Sequence, residues 1–376
     1  MTLFIILIAA LVIFVLYLYF GQKRERTSGY TPYVEALSAL LEDNEDIAIK
    51  KFKEAVSLDS GLIDAYIRLG DLYRKRGDVS RAVQIHQSLT VRPTLKKHEE
   101  KKVYYALVND LLATTRYNKA VSFLKEILKI DKHDKHAQEL ILKIYEDTGN
   151  YGDCIALYEE SGVKVKEDKR HAFYYASYAN NKLKDLTEKN TDVEKDAVNL
   201  FKKALKILPN SLTALYYFGD YYEQRGNLKK AKECYHKLIT KHPDRAFLII
   251  DKFEKVYYEL GLFDEIIPVY EKIFHANPKN FAVGLALAAL YEKKNDLDAA
   301  QALYSKLSEK YPKSSLLRLR LLKSKVKDES LMDEITEIEN EVGNKSFKCT
   351  NCGFDAEKFS FLCPKCHAIE SFLLYL

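Results

Sequence analysis

The chain has 376 residues, beyond the usual ceiling for one compact core, so it reads either as several domains or as a stacked repeat array. Gly 14, Pro 8 and no Trp, with Leu, Lys, Glu, Ala and Tyr abundant, favour helices over sheets. Lys+Arg 59 against Asp+Glu 54 leaves a net charge of +5, far short of the basic excess of a dedicated nucleic-acid binder, so most charges are assigned to solvated helix faces.

Residues Leu3 to Phe20 read LFIILIAALVIFVLYLYF, without a charge. At about 1.5 Å per residue this run nearly crosses a hydrocarbon layer of roughly 30 Å, and residues 1–21 are expected to form a transmembrane anchor. A cleaved signal peptide would need a basic start, a shorter apolar run and a small-x-small exit. Here Thr2 is the only polar residue before the run, and its end is bulky: Leu16, Tyr17, Leu18, Tyr19 and Phe20. Lys23, Arg24 and Arg26 follow at once. Excess positive charge marks the cytoplasmic side, so a single pass should leave the bulk of the chain facing the cytoplasm.

From there a small residue recurs inside an apolar helix pattern at Ala48, Ala82, Ala120, Cys154, Ala197, Ala231, Ile266 and Ala300, with Ile266 the bulky exception; the steps are 34, 38, 34, 43, 34, 35 and 34. The clearest unit is LYYFGDYYEQRGNLKKAKECYHKLITKHP. Leu215, Phe218, Gly219 and Tyr222 mark one helix, Gly226 the turn, and Ala231, Tyr235 and Leu238 the next, ending at Pro243. Pro209, Pro243, Pro278 and Pro312 keep the same spacing and should stop the second helix of each pair. This pattern resembles the tetratricopeptide repeat over roughly Tyr30 to Val326. Small residues let paired helices approach, large ones fill the grooves, and pairs must stack into a superhelix because one pair cannot bury its own apolar stripe. The two long steps, after Arg92 and around Lys182 to Thr191, imply extended turns or longer helices, and partner contacts are expected there first.

The array carries no chemistry of its own. There is no G-x-x-x-x-G-K-[ST], H-E-x-x-H or G-x-S-x-G, and His133 with His136 reads as surface, so the chain is expected not to be an enzyme. Cys154 and Cys234 read as inert core thiols.

The last thirty residues differ. Cys349 with Cys352 and Cys363 with Cys366 form two C-x-x-C turns separated by ten residues. Two such turns facing each other place four sulfurs tetrahedrally, as Zn²⁺ or iron accepts, and so short a segment needs a staple to fold. Gly353 suits the left-handed backbone of the first turn, whereas His367 holds the corresponding place in the second. Phe354, Phe359, Phe361 and Leu362 are expected to cover the metal. The arrangement looks like a rubredoxin-type knuckle. Lys348, Lys358 and Lys365 balance Asp355, Glu357 and Glu370 there, which argues against phosphate binding. The fold class is therefore all-α, a tetratricopeptide superhelix over residues 22–345 of about eight hairpins, after an anchor at 1–21 and before a rubredoxin-like domain at 346–376.

Anchor, repeats and four-cysteine tail in this order resemble the lipopolysaccharide assembly protein B family of Gram-negative inner membranes. The likeness is sharpest in RGDVSRAVQIHQSL, Arg76 to Leu89, and in CTNCGF and LCPKC. Members of that family usually carry an aromatic-rich segment with Trp beside the second pair; here Phe359, Phe361 and, further on, Phe372 stand instead. The resemblance implies a noncatalytic inner-membrane adaptor that works with a membrane-anchored AAA+ protease to promote degradation of the deacetylase committing carbon to lipid A. It also implies contacts with other lipopolysaccharide assembly or regulatory membrane proteins, and a tail packed against the repeats. The competing expectations are a scaffold for an envelope or secretion complex without a link to proteolysis, and an electron-transfer protein if the metal is iron.

Overall fold

The computed structural model describes residues 29–93, 95–160, 168–184, 191–323, 335, 338 and 346–375. The expected anchor at 1–21 lies outside the described residues; among those described, no helix is long and apolar enough to cross a membrane. The chain divides into two compact units, Met1–Ile144 and Tyr145–Leu376.

The first unit contains α1 (Tyr30–Leu41), α2 (Glu45–Leu58), α3 (Ile63–Lys75), α4 (Val79–Thr90), α5 (Lys97–Ala113) and α6 (Tyr117–Ile130), and most of α7 (Lys135–Asp147). The second contains α8 (Tyr151–Glu160), α9 (Lys169–Lys184), α10 (Thr191–Ile207), α11 (Leu212–Gln224), α12 (Leu228–Lys241), α13 (Ile250–Glu259), α14 (Ile266–Ala276), α15 (Phe281–Lys293), α16 (Leu297–Lys310) and α17 (Ser315–Lys323). Short 3₁₀ turns, Pro243–Leu248 and Phe263–Glu265, precede α13 and α14.

One local device starts most second helices. A residue in the left-handed region reverses the chain at Asp43, Gly77, Thr115, Gly149, Gly226, Gly261 and Asn295. The next residue often caps the helix: Asn44, Asp78, Asn227 and Asp296 accept the N–H of Ile47, Arg81, Lys230 and Ala299 at 3.1 to 3.3 Å. At the other end, α10, α12, α14 and α16 each stop two residues before Pro209, Pro243, Pro278 and Pro312.

The recurring small residue is the fourth of α2, α4, α6, α8, α12 and α16, and all eight positions, Ile266 included, are buried. Four residues later comes a bulky side chain, wholly buried at Phe52, His86, Phe201, Tyr235, Tyr270 and Tyr304. Two of these rings occupy space left by glycine on the facing helix. A Cβ on Gly70 would lie 2.3 Å from His86 Nε2, and one on Gly219 would lie 2.4 Å from Tyr235 Cε1. The helices therefore pack knob on backbone, which is why the small-residue signal is strong in the sequence.

Longer helices absorb the first irregular step and much of the second. α5 has 17 residues where α3 has 13, matching the four-residue excess after Ala82. Around the second step, α9 has 16 residues against 13 in α11, and Ala197 is the seventh residue of α10, which starts one turn early.

The tail departs from all-α. β1 (Ser346–Cys349) is central in an antiparallel sheet of order β2-β1-β3, flanked by β2 (Asp355–Ala356) and β3 (Phe372–Tyr375). Phe347 pairs with Ala356 and Leu374, and Cys349 with Phe372. Cysteine turns spaced this closely fix reversals that strands satisfy and that leave no length for a helix pair.

Candidate metal centre

The first cysteine turn grows from the end of β1. Gly353, at φ +71°, donates its N–H to Cys349 O at 2.9 Å, and Cys349 N–H donates to Phe354 O at 2.9 Å. The second turn repeats this pattern: His367, at φ +57°, donates to Cys363 O at 2.9 Å, and Cys363 donates to Ala368 O at 3.0 Å. Two matching knuckles thus face each other, one closed by glycine and the other by histidine.

All four sulfurs lie within 4.8 Å of one another. Cys349 Sγ is 3.7 Å from Cys366 Sγ, and Cys352 Sγ is 3.7 Å from Cys363 Sγ. A tetrahedron with metal–sulfur bonds of about 2.3 Å has edges of about 3.8 Å. Disulfides would need about 2.05 Å. The spacing is compatible with one four-coordinate ion.

The donors fit a cation electrostatically as well. Burial opposes ionisation of Cys349, yet the Ser371 hydroxyl and the amides of Cys352 and Asn351 outweigh it and draw the thiol down to about 6. The Asn351 side-chain amide, 3.3 Å from the sulfur, lowers Cys366. Cys352 is raised: the Phe354 amide favours its thiolate, but burial and the neighbouring sulfurs prevail. Burial comes first in raising Cys363. The cluster thus prepares donors to thiolate but cannot hold four negative charges alone, a conflict that a bound cation removes.

His367 is not aimed at this centre. Its Nδ1 lies 2.7 Å from Glu146 Oε2 and its Nε2 lies 3.3 Å from Asp147 Oδ1, both at the end of α7. The Glu146 side chain is fully buried and also accepts from Arg170 Nε and Nη2 at 2.9 and 2.8 Å and from the Tyr174 hydroxyl at 2.6 Å. One carboxylate therefore joins α7, α9 and the second knuckle.

Glu370, at φ +52°, makes a second tie. Its Oε1 accepts from Thr213 N–H at 2.9 Å and from the Thr213 hydroxyl at 2.7 Å, capping α11 from 157 residues away. Its Oε2 lies 3.3 Å from Lys169 Nζ, and its carbonyl accepts from buried Arg245 at 3.1 Å. Between these polar ties the contact is aromatic. Phe361 packs 5.3 and 5.2 Å from the rings of Tyr216 and Tyr217, and Phe247 packs 5.7 and 5.8 Å from Phe347 and Phe359.

Of the aromatics expected to cover the metal, Phe354 and Phe359 do pack on the cysteine cluster, joined by Phe347 and Phe372. Phe361 instead faces the repeats. Cys154 and Cys234 are buried in helices and burial raises both thiols, as inert core groups require. His133 and His136 are exposed. Beside the second long step, a cavity of about 540 Å³ is lined by Tyr151, Glu159, Tyr175, Asn181 and Lys203, among others.

Tetratricopeptide-repeat family profiles match residues 65–99, 213–245 and 257–324. Lipopolysaccharide assembly protein B of Escherichia coli (strain K12) is 24% identical over 344 residues, covering 89% of this chain and 87% of that protein. The protein of the same name from Haemophilus influenzae is 26% identical over 365 residues, covering 90% and 88%. This chain is a relative of lipopolysaccharide assembly protein B. A repeat-containing protein of Methanocaldococcus jannaschii, 25% identical over 279 residues, covers 71% of the chain but only 47% of its own length. The likeness to lipopolysaccharide assembly protein B thus covers most of both chains, whereas the archaeal one covers less than half of that protein.

Proposed function

We propose that the chain is a noncatalytic adaptor in the regulation of lipopolysaccharide synthesis. Residues 1–21 anchor it in the bacterial inner membrane, the repeats of 22–345 grip protein partners on the cytoplasmic side, and 346–376 is a rubredoxin-like metal domain. The partners are a membrane-anchored AAA+ protease and the committed-step deacetylase of lipid A synthesis, which the adaptor presents for degradation. The observation that carries this reading is similarity to lipopolysaccharide assembly protein B along nearly the whole of both chains. The packing adds support, since the repeats are built from side chains that hold helices together and the tail is tied to them.

Cys349, Cys352, Cys363 and Cys366 are the ligands in this reading, for one zinc or iron ion. When bound, the ion supplies a crosslink between the two knuckles. Tethering raises the effective concentration of any partner in the same membrane, so modest contacts along the repeats suffice.

Depletion of the protein in cells, with deacetylase abundance followed by immunoblot, tests the adaptor. Accumulation of the deacetylase supports it. Unchanged deacetylase with a disassembled envelope complex supports the scaffold instead. The absorbance of untreated protein separates the metals, because a ferric tetrathiolate is red and zinc is colourless.

A further inference from the structure

The first hairpin exposes apolar groups where a repeat array needs a polar end. On α1, Tyr30, Val34 and Leu41 are 61%, 57% and 88% exposed and lie along one side of the helix. On α2, Ile47 and Leu58 are 48% and 45% exposed. Away from the α1 stripe, Lys51 Nζ bridges the two helices, reaching Glu35 at 2.5 Å and Glu54 at 3.2 Å. The α1 stripe lies opposite the packed side marked by buried Pro32, Ala36 and Ala39. Terminal hairpins of solenoids ordinarily carry a polar outer surface.

The position of this face in the chain identifies what covers it. Gly29 closes the hairpin so tightly that a Cβ would lie 2.8 Å from Ala55 O and 2.9 Å from Leu62 Cδ1, so the chain leaves from a fixed point beside the end of α2. Gly21 to Gly29, GQKRERTSG, then separate that point from the apolar run ending at Phe20. Even fully extended, nine residues reach only about 30 Å. They carry Lys23, Arg24 and Arg26 against the single acid Glu25.

We propose that the outer side of α1 docks on the lipid surface. Tyr30 sits at the headgroup level, and Val34 and Leu41 enter the acyl boundary. This inference rests on the reading of residues 1–21 as a membrane anchor. It gives the first hairpin a role in holding the repeats at a set orientation to the membrane, beyond what a flexible leash provides.

The absence of Trp from the chain permits a direct test. The full-length Tyr30→Trp and Val34→Trp variants, and Val91→Trp at a site 81% exposed on the same unit, are reconstituted in phosphatidylcholine–phosphatidylglycerol vesicles with and without brominated acyl chains. Blue-shifted emission quenched by the brominated lipid at positions 30 and 34, but not at 91, is expected. Equal and unquenched emission at all three, in vesicles that retain the chain through an alkaline wash, would overturn docking and leave the anchor standing. Loss of the chain in that wash would overturn the anchor and docking together. A blue shift that follows protein concentration and ignores bromination would assign the face to a second copy, against the proposal.

Discussion

Glu146 is the residue through which His367 of the tail meets α7 and α9. Its carboxylate is buried, and Arg170, Tyr174 and His367 all point their donors at it. Removing one partner of a buried ionic cluster leaves the others desolvated and unpaired, which typically costs about 3–5 kcal/mol. Glu146→Ala should therefore lower the melting midpoint of the second unit and make residues near 346 sensitive to limited proteolysis. Asp134, in the first unit, gives a pH-dependent counterpart. Burial opposes its ionisation, but Lys101, the Ala137 amide that it caps at 2.9 Å and the Tyr105 hydroxyl outweigh burial and bring its carboxyl from 3.8 to about 2. A depressed folded value means stabilisation that is present above roughly pH 4 and lost as pH falls towards about 2. Asp134→Asn should melt earlier than wild type at neutral pH, and the gap should narrow across that acid window in a series of thermal melts.

At the scale of the element, two glycines of one repeat serve opposite ends. Gly219 leaves space for the Tyr235 ring, whereas Gly226 has nothing within 4 Å of its virtual Cβ and is required for its φ of +71°. Gly219→Ala gains up to about 1 kcal/mol of helix propensity but overpacks the contact at a cost of about 1–3 kcal/mol, so net destabilisation is expected. Gly226→Asn should be nearly neutral, because asparagine tolerates the left-handed region and Asn295 already holds the equivalent turn at φ 60°. Gly219→Asn should be worse than Gly219→Ala. Urea midpoints of the three variants check the order. The same contrast explains what the sequence revealed about the repeats. Ala82, Ala231, Gly219 and the spaced prolines are local and periodic, so they stood out. The turns at Asp43, Thr115 and Asn295 did not, because their left-handed backbone is imposed by helices on either side instead of announced by glycine. His86 gave no mark either, although its step of four from Ala82 matches that of Tyr235 from Ala231.

Across the whole molecule, the four cysteines were legible because metal geometry demands a fixed local spacing, and the sulfurs do gather. The seat of the tail was much less legible. Glu370 meets Thr213 across 157 residues and His367 meets Glu146 across 221, and no periodic signal links such positions. The mark that was visible was His367 in a left-handed place that its partner knuckle gives to Gly353; the ring is kept for its contacts with α7 in spite of the backbone strain. His367→Gly should accordingly relax the knuckle yet weaken its hold on the repeats, read as unchanged metal content by native mass spectrometry with faster proteolytic release of the tail. A metal that clamps the tail should also brace the repeats on which the tail packs through Glu370 and His367. Hydrogen exchange of the full chain before and after chelation, with metal loss verified by mass, tests this most directly. Metal removal should strip protection from the amide of Thr213 and the adjoining first turn of α11, together with the end of α7. Unchanged protection there, with the metal gone, would mean that the tail holds the repeats without a metal.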